Sequence, residues 1–115
     1  MKNFKELIVW QKAMVLVVEI YRVTKSFPDD EKFGLTSQMR RSGVSIPSNI
    51  AEGHMRTTNR DFRQFVAFAR GSCSELETQA RIAQELGYLS TSAFIKLDEK
   101  ITEVAKMLSS FYAKL

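Results

Sequence analysis

The sequence predicts an all-α fold: an antiparallel up-and-down four-helix bundle, one domain over residues 1–115, with a proline kink in the second helix. Three observations lead there. Four stretches place apolar residues at alternating steps of three and four, the spacing that lines one face of a helix. The breaks between them are short, which suits antiparallel neighbours. The 115 residues, 44% hydrophobic and 26% charged, hold no linker, internal repeat or low-complexity segment, so they suffice for one self-supporting core.

The first helix is expected from about Phe4 to Lys25. It carries two apolar stripes, Leu7, Trp10, Met14, Val17, Tyr21 and Val9, Ala13, Leu16, Ile20, Val23. A surface helix normally carries one. The surplus stripe therefore reads as a subunit interface, assigned to Val9, Leu16 and Ile20. Phe27-Pro28 ends the helix, and Asp29, Asp30 and Glu31 favour the positive end of the helix that follows.

In the second helix Leu35, Met39, Gly43, Ile46 and Ile50 share one face, which places Pro47 inside it. Proline there lacks the donor for the carbonyl of Gly43 and crowds it, so a bend is expected. Gly53 reads as the C-cap. The third helix opens at the capping signature Thr58-Asn59-Arg60-Asp61 and buries Phe62, Val66, Ala69, Cys73, Leu76, Ala80 and Ala83. Phe65 and Phe68 add aromatic bulk beyond one core's needs and join the expected interface. Leu86-Gly87-Tyr88 stops this helix. The fourth starts at Ser90-Thr91-Ser92, with one stripe of Phe94, Leu97, Ile101, Val104, Leu108, Phe111 and Leu115.

Charge is distributed unevenly. Residues 40–70 contain Arg40, Arg41, Arg56, Arg60, Arg63 and Arg70 against Glu52 and Asp61, a balance of +4 that equals the net charge of the whole protein. The guanidinium is a permanently charged planar fork suited to phosphates and carboxylates. These six arginines are the candidate nucleic-acid contacts. Solvated or ion-paired arginines are the plainer reading, and Arg41, Ser45, Ser48, Asn49 and Glu52 read first as a hydrogen-bonded strip that fixes helix register or a subunit contact, with a recognition strip for a partner as the alternative.

Several runs together resemble a known family: Trp10-Gln11-Lys12-Ala13, Leu35-Thr36-Ser37-Gln38, Arg40-Arg41, Ala69-Arg70-Gly71-Ser72, Glu75-Leu76-Glu77-Thr78 and, most specifically, Ser45-Ile46-Pro47-Ser48-Asn49-Ile50-Ala51-Glu52-Gly53. The chain resembles the four-helix-bundle proteins encoded within intervening sequences of bacterial 23S ribosomal RNA genes. The accessory variability proteins of diversity-generating retroelements are a related branch. The resemblance implies a homopentameric ring without catalytic activity, and in the retroelement branch binding of nucleic acid and a reverse transcriptase.

Signals for catalysis or cofactors are sparse. One histidine, His54, and one cysteine, Cys73, cannot make a zinc cluster of the usual composition or a ferritin-like di-iron site. Cys73 lies on the small-residue seam as a structural thiol, and His54 reads as a solvent-facing turn residue. Glycines stand singly, so no phosphate-cradling loop is present. A single cysteine allows no intrachain disulfide, and neither a cleavable leader nor an apolar run long enough for a membrane is visible, which points to the cytoplasm. The expectation is a non-catalytic homo-oligomer, without cofactor or metal, that binds RNA or DNA, with a protein-interaction scaffold as the alternative. An enzyme with a site between subunits has little support.

Overall fold

The computed structural model describes residues 3–115. Among these the chain forms four α-helices and no strand: α1 (Ile8–Thr24), α2 (Leu35–His54), α3 (Asn59–Glu85) and α4 (Thr91–Lys114). None is long and apolar enough to cross a membrane. Each helix packs on its neighbours in sequence, and α1 closes the set against α4. Ile20 lies against Gly43 while Thr24 bonds Arg40, so residue numbers fall along α2 as they rise along α1. The same reversal holds between α2 and α3, where Gly53 meets Phe65 and Ser45 meets Ser72. It holds again between α3 and α4, where Phe62 meets Phe111 and Arg81 lies on Phe94.

The helix ends follow from local chemistry. Thr58 Oγ1 accepts the Asp61 N–H at 3.1 Å and Ser90 Oγ that of Ala93 at 3.1 Å, each satisfying one free donor of a first turn. Glu31 does the same for α2 from outside it. One carboxylate oxygen accepts the Leu35 N–H at 3.0 Å and the other accepts the Tyr88 hydroxyl at 2.9 Å. These bonds hold the Glu31 carboxyl below its ordinary value, the backbone bond contributing most. Gly87, at φ +79°, ends α3, with the Tyr88 N–H returning to the Ala83 carbonyl at 2.8 Å.

The core draws on all four helices. Leu35, Met39, Gly43, Ile46 and Ile50 are all buried, as are Val66, Ala69, Cys73, Leu76, Ala80 and Ala83, with Phe62 half-buried beside them. Phe94, Leu97, Ile101, Val104 and Leu108 complete it.

Four expectations need correction. Val9, Leu16 and Ile20 are 3%, 0% and 0% exposed, so they belong to the chain's own core and are not available as interface surface. Of the other stripe, Leu7 is buried and Trp10 and Val17 half-buried, while Met14 and Tyr21 stay exposed with Val18 beside them. The first helix begins at Ile8, since Phe4–Glu6 form a separate 3-10 turn and the extended Leu7 folds inward. Gly53 is not a cap: α2 runs on to His54, and a Cβ at Gly53 would stand 2.6 Å from Phe65 Cβ. Its role is to let α3 approach closely. His54 turns inward and packs edge-on against Phe62 at 5.7 Å. Pro47 lies buried within α2, and the nearby Ser45 hydroxyl donates to the Ser42 carbonyl at 2.7 Å.

Candidate nucleic-acid interface

Three of the eight arginines have a carboxylate partner nearby in sequence: Arg22 with Glu19, Arg56 with Glu52 at 3.0 Å and Arg81 with Glu77 at 3.1 Å. Arg40, Arg41, Arg60, Arg63 and Arg70 have none among the described residues. All five come from the segment that carries the net charge. The structure divides them between two seams of the bundle.

The first group lies along α3. Arg60, Arg63 and Arg70 fall within about 80° of the helix circumference and span about 15 Å of its length, from the turn and rise of an α-helix. Arg63 and Arg70 both rest on the ring of Tyr112 in α4, with guanidinium carbons 4.4 and 4.8 Å from the ring centroid. Stacking engages the face of a guanidinium and leaves its in-plane N–H donors free for an anion. Arg60 is exposed at the start of the same row. Next to Arg70 the small side of α3, at Ala67, Gly71 and Ser74, faces Ala105 and Ser109 across a shallow concavity of about 280 Å³.

The second group lies on the α1–α2 seam. The Arg40 Nε donates to Thr24 Oγ1 at 2.9 Å and its guanidinium covers the Tyr21 ring at 4.6 Å. Arg41 is exposed beside it. Since α1 does not pack on α3, nor α2 on α4, the α1–α2 and α3–α4 seams lie on opposite sides of the bundle. The six arginines therefore do not form one continuous surface within a single chain. Arg56 stands apart from both groups, on Phe65 at 4.6 Å with its charge met by Glu52.

Three participants were missed in the sequence. Tyr112 lies far along the chain from the arginines it supports, and only its three- and four-residue offsets from the α4 stripe, at Leu108 and Leu115, mark it as standing beside that face. Lys32 and Phe33 are both exposed just before α2, and a phenylalanine in a charged loop is itself a signal. The polar strip of α2 is internally bonded in part. The Asn49 amide donates to the Ser45 carbonyl at 2.7 Å, and the Ser45 and Ser72 hydroxyls lie 2.5 Å apart. Phe65 and Phe68 stack edge to face at 5.6 Å, with Phe68 exposed.

Cys73 is buried, and burial pushes its thiol up to about 12, far from the range of a nucleophile. Among the described residues no three His, Cys, Asp or Glu side chains converge on one point.

Comparison with known proteins agrees with the four-helix fold. A solved structure of a protein of unknown function from the S23 ribosomal protein family of Bacteroides thetaiotaomicron superposes with a TM-score of 0.83 at 24% identity. The match covers 91% of this chain and 98% of that one, and at this identity it carries the fold alone. No curated protein sequence matches the chain. The family described as 23S rRNA-intervening sequence protein matches residues 5–110, nearly the whole length. The chain belongs to the 23S rRNA-intervening sequence protein family.

Proposed function

We propose that this protein is a non-catalytic homo-oligomer that holds RNA or DNA against the α3–α4 seam. The observation that carries this reading is the row of Arg60, Arg63 and Arg70, unpaired with acids and in part pre-oriented on Tyr112. Cations without internal partners contribute nothing to the fold through ion pairs, whereas neutralising phosphates releases counterions and favours binding. Self-association is supported by the apolar outer side of α1. Ile8, Met14, Val15, Val18 and Tyr21 are 40–67% exposed there, beside a groove of about 350 Å³ that reaches Trp10, Val17 and Pro47. An uncovered apolar face of this kind marks an interaction surface. A pentamer is the assembly that the family resemblance implies. Repeating one modest patch around such a particle raises apparent affinity without new contacts.

The test is fluorescence anisotropy with labelled structured RNA and duplex DNA, with light scattering for mass. Wild type should bind at low salt and lose affinity steeply between about 50 and 200 mM. Arg60→Gln, Arg63→Gln and Arg70→Gln combined should abolish binding and leave the mass unchanged. Absence of binding by an intact wild-type oligomer would replace this reading with a protein-interaction scaffold that meets acidic partners.

A further inference from the structure

The second basic group, on the α1–α2 seam, is not used by the α3–α4 surface. It lines an open concavity of about 640 Å³. Lys32, Arg40 and Arg41 supply three cations there, and no carboxylate lines it. Arg40 is fixed in position by Thr24 and by the Tyr21 ring that forms one wall. Beside them stands Phe33, 89% exposed, with the Lys32 ammonium 5.5 Å from its ring centroid.

The first turn of α2 opens onto the same space through Thr36 and Ser37. The Leu35 N–H is taken by Glu31, and the Gln38 N–H makes the first bond inside the helix, to the Gly34 carbonyl at 2.9 Å. Between them the N–H groups of Thr36 and Ser37 have no acceptor among the described residues, at the positive end of a 20-residue helix. Thr36 itself is 8% exposed. Anion donors, cations and a free aromatic face thus meet in one place. That combination matches a phosphate attached to a planar base.

We propose that this concavity is a nucleoside-phosphate site, with the phosphate held at the α2 N-terminus by Lys32 and Arg41 and the base stacked on Phe33. It stands apart from the α3–α4 surface and does not depend on it. The same chemistry is offered by a free nucleotide and by an unpaired nucleotide of a single strand. It is not offered by a duplex, whose bases are already stacked on one another.

The probes are adenosine monophosphate, inorganic phosphate, a fluorescein-labelled single-stranded hexanucleotide and the matching duplex, each titrated into the full-length oligomer. Phe33→Ala removes an exposed ring and leaves the core intact. It should weaken hexanucleotide binding about five- to a hundredfold, the range for loss of one base–aromatic stack, and leave duplex binding unchanged. Arg41→Gln should weaken the hexanucleotide as well. Displacement of the hexanucleotide by adenosine monophosphate would assign the site to free nucleotides. Sensitivity to Phe33→Ala without that displacement would assign it to a strand. Equal displacement by inorganic phosphate and adenosine monophosphate would mean an adventitious ion only and overturn the proposal. So would a Phe33→Ala variant that binds the hexanucleotide like wild type. The Arg60, Arg63 and Arg70 triple variant must retain the Phe33-dependent binding; if it does not, the concavity is no site of its own. Failure here leaves salt-dependent duplex binding on α3 untouched, so the two readings fall separately.

Discussion

Replacing Gly53 by alanine sets helix propensity against packing, and the structure decides the sign. Alanine in a helix is favoured over glycine by about 1 kcal/mol. At Gly53, however, the new Cβ would stand 2.6 Å from Phe65 Cβ and 2.9 Å from Phe62 Cδ1. Carbon atoms rest at about 3.5–4.0 Å, so the overlap is about 1 Å. Phe65 Cβ is attached directly to the α3 backbone, and no rotamer change can move it away. The first turns of α3 must shift, at about 1–3 kcal/mol for an overpacked core site. Net destabilisation of up to about 2 kcal/mol is expected, which lowers the melting temperature by up to about 10 °C for a chain of this size. Gly71 is the control: it lies inside α3 and an added Cβ meets nothing within 4 Å. Gly71→Ala should stabilise by about 0.5–1 kcal/mol. Thermal melts of the two variants by circular dichroism give the comparison. A Gly53→Ala protein that melts above wild type would refute the close-approach role.

Three further outcomes follow from the same contacts. Val18→Lys puts a charge on the exposed apolar side of α1; light scattering should then report the 13.2 kDa monomer with helical content retained, and an unchanged assembly would exclude this face from the interface. Pro47→Ala restores a donor for the Gly43 carbonyl but changes the shape of the α1–α2 groove; the variant should keep its helicity and melt earlier or lose assembly, and a more stable, fully assembled variant would deny the proline a shape role. The Glu31 carboxyl is held below its ordinary value of 4.5, so the folded state favours the ionised form. Its contribution is complete above pH 4.5 and lost as pH falls through the lower folded value, and Glu31→Gln should reduce the difference between melting temperatures measured at about pH 6 and pH 3.

The helical layout was legible wherever one apolar stripe stood alone. The α3 and α4 stripes could be placed on the core directly, because no competing face existed. In α1 both stripes were apolar, and periodicity cannot say which of two faces turns inward. What settles it is a neighbour: Gly43 leaves room for Ile20, whose Cδ1 would stand 2.6 Å from a Cβ there. Gly53 was misread for a related reason, since a glycine near a helix end looks the same whether it turns the chain or admits another helix. The excess of arginine was plain in the composition. Its division between two seams was not, because helical spacing fixes positions on one helix and says nothing of which neighbour lies against them. Tyr112 under Arg63 and Arg70, and Tyr21 under Arg40, were visible only once the helices were packed.

The central claim, that Arg60, Arg63 and Arg70 form a phosphate-contacting row, is tested most directly by the salt dependence of duplex binding. The measurement is the slope of log affinity against log salt concentration for wild type and for the variant with all three changed to Gln. Each phosphate contact adds about 0.9 to that slope, so the variant should lose about 2–3 units for each engaged subunit, together with most of its affinity. An unchanged slope with unchanged affinity would contradict the account.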